Sequence, residues 1–323
     1  MPRPHKQIAE FLRNSDNFLV TAHLHPDGDA LGATLAMGEL LKALGKNVVL
    51  FNESPVPRYL EWIAAGRGIV HELPIAEPDV IIVLDSGAAD RPGPMIAPWM
   101  SSKKVVNIDH HLGNPAFGTL NWVNERASSV GEMIGMLARE LDVPLSGMLG
   151  QFIYLSLISD TGDFCFNNTR PETLEMAAEI LRQGLLPGPF HEQKQSTGTL
   201  NQLQMRGTVL QQASLHADGR ISLISFTKEL FEKTATGPED TEGLVNTILY
   251  LQDVQVAISL REDKDRIKFS LRSKGGTNVQ AVAARFGGGG HRNAAGGSVQ
   301  VPMEEAKLVM VRAVTEMLEN ELA

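Results

Sequence analysis

Two apolar runs that each end on an acid constrain this chain more than any other feature. Residues 80–84, Val-Ile-Ile-Val-Leu, lead straight into Asp85, and residues 105–108, Val-Val-Asn-Ile, lead into Asp109-His110-His111. Short runs that are mostly β-branched and apolar suit strands covered on both faces, as in a parallel sheet. Residues 18–21 and 48–51 read as two more such strands. Between and after them the pattern turns helical. Residues 30–44 carry Leu31, Leu35, Leu40, Leu41 and Leu44 on one period and stop at Gly45. Residues 129–141, 147–159 and 171–182 also read as helices. The last has Pro171 in its first turn and Thr169 as a candidate cap. Strands alternating with helices predict an α/β fold, with a doubly wound, mostly parallel sheet in the N-terminal domain.

The pattern breaks at 184–189, a stretch rich in glycine and proline. The expected organisation is therefore a first domain over 1–186, a polar, Gln-rich linker over 187–215, and a smaller α/β domain over 216–323, set across a cleft from the first. In that second domain, strands are expected at 221–226, 254–260 and 267–271. Helices are expected at 239–251, 279–285 and 303–322.

Acids gather where the predicted strands end. Asp27 and Asp29 follow the first strand in His23-Leu-His-Pro-Asp-Gly-Asp29, Asp85 follows the third, and Asp109, His110 and His111 follow the fourth. Asp160 closes the helix over 147–159. In an open α/β sheet, ligands bind at the carboxyl ends of the strands, so these groups should meet on one edge. Carboxylates with some imidazole suit Mn²⁺ or Mg²⁺ better than a structural zinc, for which thiolates are missing. Two such ions sharing one carboxylate can activate water against phosphorus without a nucleophilic side chain. Blander roles exist for single members: Asp29 is a candidate cap for the helix from Ala30, Asp85 a turn residue, and Asp160 a helix terminus. His23 and His25 both lie near the acids, and spacing alone does not separate them.

A second feature is Gly287-Gly-Gly-Gly-His-Arg-Asn-Ala-Ala-Gly-Gly297. Four glycines in a row expose backbone N–H groups to a ligand. Composition alone would favour a flexible loop, but the small residues 294–297 point to tight packing. The stretch lacks the Lys-Ser/Thr ending of a P-loop.

The net charge of −9 over 323 residues argues against coating long nucleic acid. It allows a small anion, because residues 261–292 carry Arg261, Lys264, Arg266, Lys268, Arg272, Lys274, Arg285 and Arg292 against Glu262, Asp263 and Asp265. Cys165 is the one cysteine, so no internal disulfide exists and a reducing compartment fits. The first seven residues hold no apolar core and no run approaches the roughly 18 apolar residues of a membrane span. The expectation is a cytoplasmic protein without a membrane partner.

On these residues the chain resembles the DHH phosphoesterase superfamily. His23-x-x-x-Asp27-Gly-Asp29-Ala30 looks like its first motif, Leu84-Asp85 its second, Asn107-Ile-Asp-His-His111 its third, and Ile158-Ser-Asp-Thr-Gly162 its fourth. Gly287–Gly297 looks like the glycine-rich motif of the associated C-terminal domain. The resemblance implies two Mn²⁺ ions, with Mg²⁺ or Co²⁺ as alternatives. One ion would be held by His23, Asp27 and Asp85, the other by Asp29, Asp85, His110 and Asp160. It favours His23 over His25. It gives His111 the scissile phosphate, Asp109 a supporting role, and Arg91, Arg272, Gly288, Gly289, Gly290 and His291 the substrate. Residues 117–123, Ala127-Ser-Ser-Val-Gly-Glu132 and Asp160-Thr-Gly-Asp-Phe164 are similar to the nanoRNase/pAp-phosphatase group. That group implies hydrolysis of short oligoribonucleotides to mononucleotides, dephosphorylation of adenosine 3′,5′-bisphosphate (pAp), and a homodimer. A linear or cyclic dinucleotide phosphodiesterase is the alternative enzyme, and a nucleotide sensor without turnover the alternative outside enzymes. Ala33, Gly113 and Cys165 depart from frequent family residues. The change at Cys165 bears on substrate preference.

Overall fold

The computed structural model describes residues 4–320 except 197 and 242. The chain divides into two compact units, Met1–Thr197 and Gly198–Ala323. In the first, the elements run α1 (Pro4–Arg13), β1 (Asn17–Ala22), α2 (Gly28–Ala43), β2 (Asn47–Phe51), α3 (Glu61–Ala64), β3 (Ile69–Val70), β4 (Val80–Leu84), α4 (Ala97–Ser102), β5 (Lys104–Asp109), β6 (Leu120–Val123), α5 (Val130–Glu140), α6 (Gly147–Asp160), α7 (Pro171–Arg182) and α8 (Pro187–Gln195). In the second they run α9 (Leu200–Gln211), β7 (Ser214–His216), β8 (Ile221–Phe226), α10 (Lys228–Thr234), α11 (Leu244–Leu249), β9 (Val256–Asp263), β10 (Arg266–Ser273), α12 (Val279–Ala284), β11 (Gly289–His291), β12 (Ala294–Val299) and α13 (Met303–Asn320).

The first sheet has the order β3-β2-β1-β4-β5-β6 and is parallel throughout. All of β4 is buried, as its unbroken apolar run requires. One face packs on a core that includes Leu35 and Leu40 of α2, Ile134 of α5 and Phe152 of α6. The other packs Leu19, Ile81 and Val83 on Ile96, with Trp99 and Met100 of α4. The chain leaves β1 towards β2 on one side, whereas β4 lies on its other side, so the order reverses between β1 and β4. The crevice outside the carboxyl ends of strands at such a switch point is where this architecture binds ligands. Helices α2 and α6 meet backbone to backbone at Gly32, where a Cβ would stand 2.7 Å from the Phe152 carbonyl oxygen and 3.0 Å from the Ser156 nitrogen.

The second sheet has the order β11-β12-β10-β9-β8-β7, antiparallel except for β8 with β9. Helices α12 and α13 cover one of its faces through Val279, Val282, Ala306 and Met310. Met205, Leu230 and Ile248 belong to a separate core with Ile224 and Phe226 of β8.

Several local expectations need correction. The segment 187–215, expected as a linker, holds α8 and α9, and the two units divide within it. Phe190 makes α8 part of the first core, packing edge-on against Trp62 and Tyr154. The helix expected over 239–251 is shorter, because Gly243, at φ 78°, interrupts it before α11. The cap of α2 is Asp27, not Asp29: its Oδ1 accepts from the N–H groups of Asp29 and Ala30 at 3.0 and 3.1 Å. Thr169 does not cap α7, whose N-cap is Arg170, and the Thr169 hydroxyl accepts or donates no hydrogen bond. The end of the terminal helix at 322 lies outside the described residues. Among those residues, no helix is long and apolar enough to cross a membrane.

Candidate metal centre

Three loops at the switch point and the end of α6 bring the acids together. β1 ends at Ala22 and delivers His23 and, through the start of α2, Asp27 and Asp29. β4 delivers Asp85, which sits in the left-handed region at φ 51°, sparsely populated by residues other than glycine. β5 ends on Asp109 and delivers His110 and His111. Asp160 arrives from the carboxyl end of α6.

Two groups of possible ligand atoms share Asp85. His23, Asp27 and Asp85 form one, and Asp85, His110 and His111 the other, each with its atoms within 4.8 Å of one another. The His110 Nε2 lies 3.3 Å from Asp160 Oδ2 and 3.6 Å from both Asp29 Oδ2 and Asp85 Oδ1. His23 Nε2 lies 3.6 Å from Asp85 Oδ2. Of the two histidines that spacing left unresolved, His23 is buried inside the cluster and His25 is exposed.

The histidines are held from behind. His23 Nδ1 lies 2.8 Å from the Leu24 carbonyl oxygen, and His110 Nδ1 lies 3.1 Å from that of Ala127. A carbonyl only accepts, so Nδ1 carries the proton in each ring and Nε2 faces the carboxylates. The loop carrying His23 is pinned from the end of β2, where Asn52 donates to the His23 carbonyl at 3.0 Å and Ser54 Oγ accepts from His25 N–H at 3.0 Å. Asp109 is buried behind His111 and accepts from His111 Nδ1 at 2.8 Å and from Asn114 Nδ2 at 2.6 Å.

Opposed charges decide the protonation. Burial alone pushes the His23 imidazole down, but Asp85 and Asp27 carry it up to about 9. Burial likewise opposes His110, yet Asp160, Asp29 and Asp85 raise it to about 10. His111 moves up too, against burial, because Asp109 and Asp85 stabilise its charged form. Burial outweighs the imidazoles at Asp160 and Asp29, and the neighbouring acids add to it, so both carboxyls rise, Asp29 to about 7. Asp85 and Asp109 go the other way, held down against burial by His23 and by His111, respectively.

This donor set fits a hard divalent cation. Oδ1 of Asp85 is buried and accepts no hydrogen bond, an expensive state for a carboxylate oxygen. The two Nε2 atoms aim at the same place as carboxylates from three loops. Oxygen with imidazole is the ligand mix of Mn²⁺ and Mg²⁺. Asp29 is the most constrained member, because its oxygens already accept from Val130 N–H at 2.9 Å, Gly131 N–H at 3.3 Å and Ser156 Oγ.

The remaining expected site residues fall in two places. Arg91 follows β4, its side chain is exposed, and its carbonyl accepts from Leu24 N–H at 2.8 Å. Arg272 and His291 belong to the second unit, where both pair in register with Ala294 from opposite sides, so the three share one face. The glycine-rich stretch is a hairpin of β11 and β12, not a loose loop. A Cβ on Gly288 would collide with the Gly296 carbonyl oxygen, and one on Gly290, at φ 133°, would stand 2.5 Å from that of Ala294. Sequence reasoning missed Asn52, Asn114 and Ser156. Asn114, five residues after Asp109, was the one within reach of a local signal.

A parallel sheet in this order, with a buried carboxylate–imidazole cluster at its switch point, defines a Rossmann-type α/β domain carrying a candidate metal centre. Models of two families match: "DHH family, N-terminal domain" over residues 17–156 and "DHHA1 domain" over residues 226–320. The chain is 30% identical to the bifunctional oligoribonuclease and PAP phosphatase NrnA of Thermus thermophilus, over 96% of this chain and 93% of that one. It is 28% identical to the protein of the same name from Bacillus subtilis, over 95% and 96%. Among solved structures, an exopolyphosphatase-related protein from Bacteroides fragilis superposes with a TM-score of 0.88 at 30% identity, over 97% of this chain and 96% of that one. The chain belongs to the DHH phosphoesterase family.

Proposed function

We propose that this chain is a divalent-metal-dependent phosphohydrolase of short nucleotides, cutting oligoribonucleotides of a few residues to mononucleotides and removing a phosphate from pAp. The observation that carries this reading is Asp85, shared by two His/Asp groups in a chain that matches oligoribonuclease/PAP phosphatases over nearly its full length. His23, Asp27 and Asp85 would hold one ion, and Asp29, Asp85, His110 and Asp160 the other. Mn²⁺ is the proposed ion. A bound pair of this kind lowers the pKa of water and takes up charge on phosphoryl oxygens.

The chain's own groups supply the rest. His111 gives its Nδ1 proton to the hydrogen bond with Asp109, which leaves Nε2 for the scissile phosphate. Its raised proton affinity suits a group that donates to a phosphoryl or leaving oxygen. Asn114 holds the second oxygen of Asp109 and so fixes the angle of the ring. Arg91 in the first unit and Arg272 in the second are proposed anion contacts, as are the backbone N–H groups of Gly288–Gly290 and His291 in the second.

The test is Mn²⁺-dependent hydrolysis of a 5′-phosphorylated RNA dinucleotide, with pAp and a cyclic dinucleotide in parallel. Release of mononucleotides and phosphate from the first two, lost in Asp85→Asn, is the expected result. Turnover of the cyclic substrate alone would move the activity to a cyclic dinucleotide phosphodiesterase. Tight nucleotide binding with no turnover of any would refute the enzyme.

A further inference from the structure

The backbone of segment 127–131 touches two of the proposed metal ligands and is linked to a third through Asn168. The Ala127 carbonyl accepts from His110. The N–H groups of Val130 and Gly131 donate to the two oxygens of Asp29. The Ser128 carbonyl accepts from Asn168 Nδ2 at 3.2 Å, and the same amide donates to the Asp160 carbonyl at 3.0 Å. These ligands come from β5, α2 and α6, so the segment is their common support.

What holds the segment is a buried carboxylate, that of Glu132. Glu132 Oε2 accepts from Ser128 N–H at 3.1 Å, Ser128 Oγ at 2.5 Å and Thr173 Oγ1 at 2.8 Å, and Oε1 pairs with the Arg170 guanidinium. Ser129 Oγ accepts from the Glu132 N–H at 3.1 Å and closes the turn. Charge-assisted bonds in a buried network of this kind specify one geometry. Arg170 and Thr173 open α7, so the clamp ties the segment to a helix that contributes no ligand.

We infer that Glu132, through Arg170 and Thr173, is a positioning residue that presets His110, Asp29 and Asp160 for the ions. The inference rests on the metal-centre reading above. It predicts that loosening the clamp weakens metal binding before it harms chemistry.

The test uses the full chain and the variants Glu132→Gln and Thr173→Val. Free Mn²⁺ is followed by electron paramagnetic resonance, turnover of the RNA dinucleotide is measured against Mn²⁺ concentration, and metal-free thermal unfolding is recorded. In Glu132→Gln the Mn²⁺ dissociation constant should rise about tenfold, the low end of the loss for a direct partner of a metal ligand, because Glu132 acts one bond further out. Its kcat at saturating Mn²⁺ should stay close to wild type. Thr173→Val, which at nearly constant volume removes the bond to Glu132 and the long one from Arg170 N–H, should show a smaller loss in the same direction. If Glu132→Gln does not fold, Thr173→Val decides. Variants that are less stable but bind Mn²⁺ like wild type would overturn the positioning role and leave the metal centre standing. A wild-type chain that binds no Mn²⁺ would remove both.

Discussion

Metal binding should expel protons, and the structure sets how many. In the metal-free protein the neighbouring carboxylates hold His23 at about 9 and His110 at about 10. Both rings are therefore charged at neutral pH, with the proton on the Nε2 that a metal would need. With about 1.4 kcal/mol for each pH unit, freeing both Nε2 atoms at pH 7 costs roughly 7 kcal/mol. The metals must supply that energy from their own attraction to the carboxylates. Asp29 and Asp160, both raised, add to the release and not against it. Calorimetry in two buffers of different ionisation enthalpy counts the protons directly. At pH 7, two or more should leave as the pair of sites fills. The apparent constant for filling both sites should climb about a hundredfold for each pH unit from 7 to 8, where two protons are exchanged, and less steeply towards 9. Release of less than one proton, or an affinity flat over that range, would refute the reasoning and mean that the imidazoles are neutral or not ligands.

Three further outcomes follow from the same structure. The metal-free protein should lose stability as pH rises, because a histidine with a raised folded pKa stabilises fully below about 6.5 and no longer does so above its folded pKa of about 9 or 10. The raised Asp29 acts in the same direction between its unfolded pKa and about 7. Tm measured from pH 6 to 10 should therefore fall, and saturating Mn²⁺ should reduce or reverse the slope. Gly32→Ala puts a methyl 2.7 Å from the Phe152 carbonyl, between helices that cannot give way singly, and should cost about 1–3 kcal/mol in urea unfolding. Asn114→Ala strips Asp109 of a 2.6 Å hydrogen bond and should lower kcat about tenfold while leaving the Mn²⁺ midpoint unchanged.

Strands β1, β2, β4 and β5 and helices α2, α5, α6 and α7 of the first unit were legible because burial leaves a clear print. The run 80–84 is β4 to the residue, and 171–182 is α7. β3 and β6 were not legible. Each is short and only partly buried, so neither leaves a periodic signal. The helices α8 and α9 were lost to their polar composition, which resembles a linker until Phe190 and Met205 are seen to be buried. At the site, the acids and histidines stood out by their place at strand ends, and the structure gathers them where that rule puts them. Their supports did not stand out. Asn52 is 29 residues from the His23 carbonyl it holds, and Ser156 is 127 residues from Asp29. No local pattern marks a serine on one helix as the partner of an acid on another.

The double use of Asp27 gives the site a built-in reporter. The oxygen that ends α2 accepts two backbone amides, those of Asp29 and Ala30, and the same carboxylate belongs to the group with His23 and Asp85. A ligand that draws on that oxygen competes with the first turn of the helix. Amide hydrogen exchange at just those two positions would then register occupancy of the cluster, with no substrate, no turnover and no spectroscopic label on the ion.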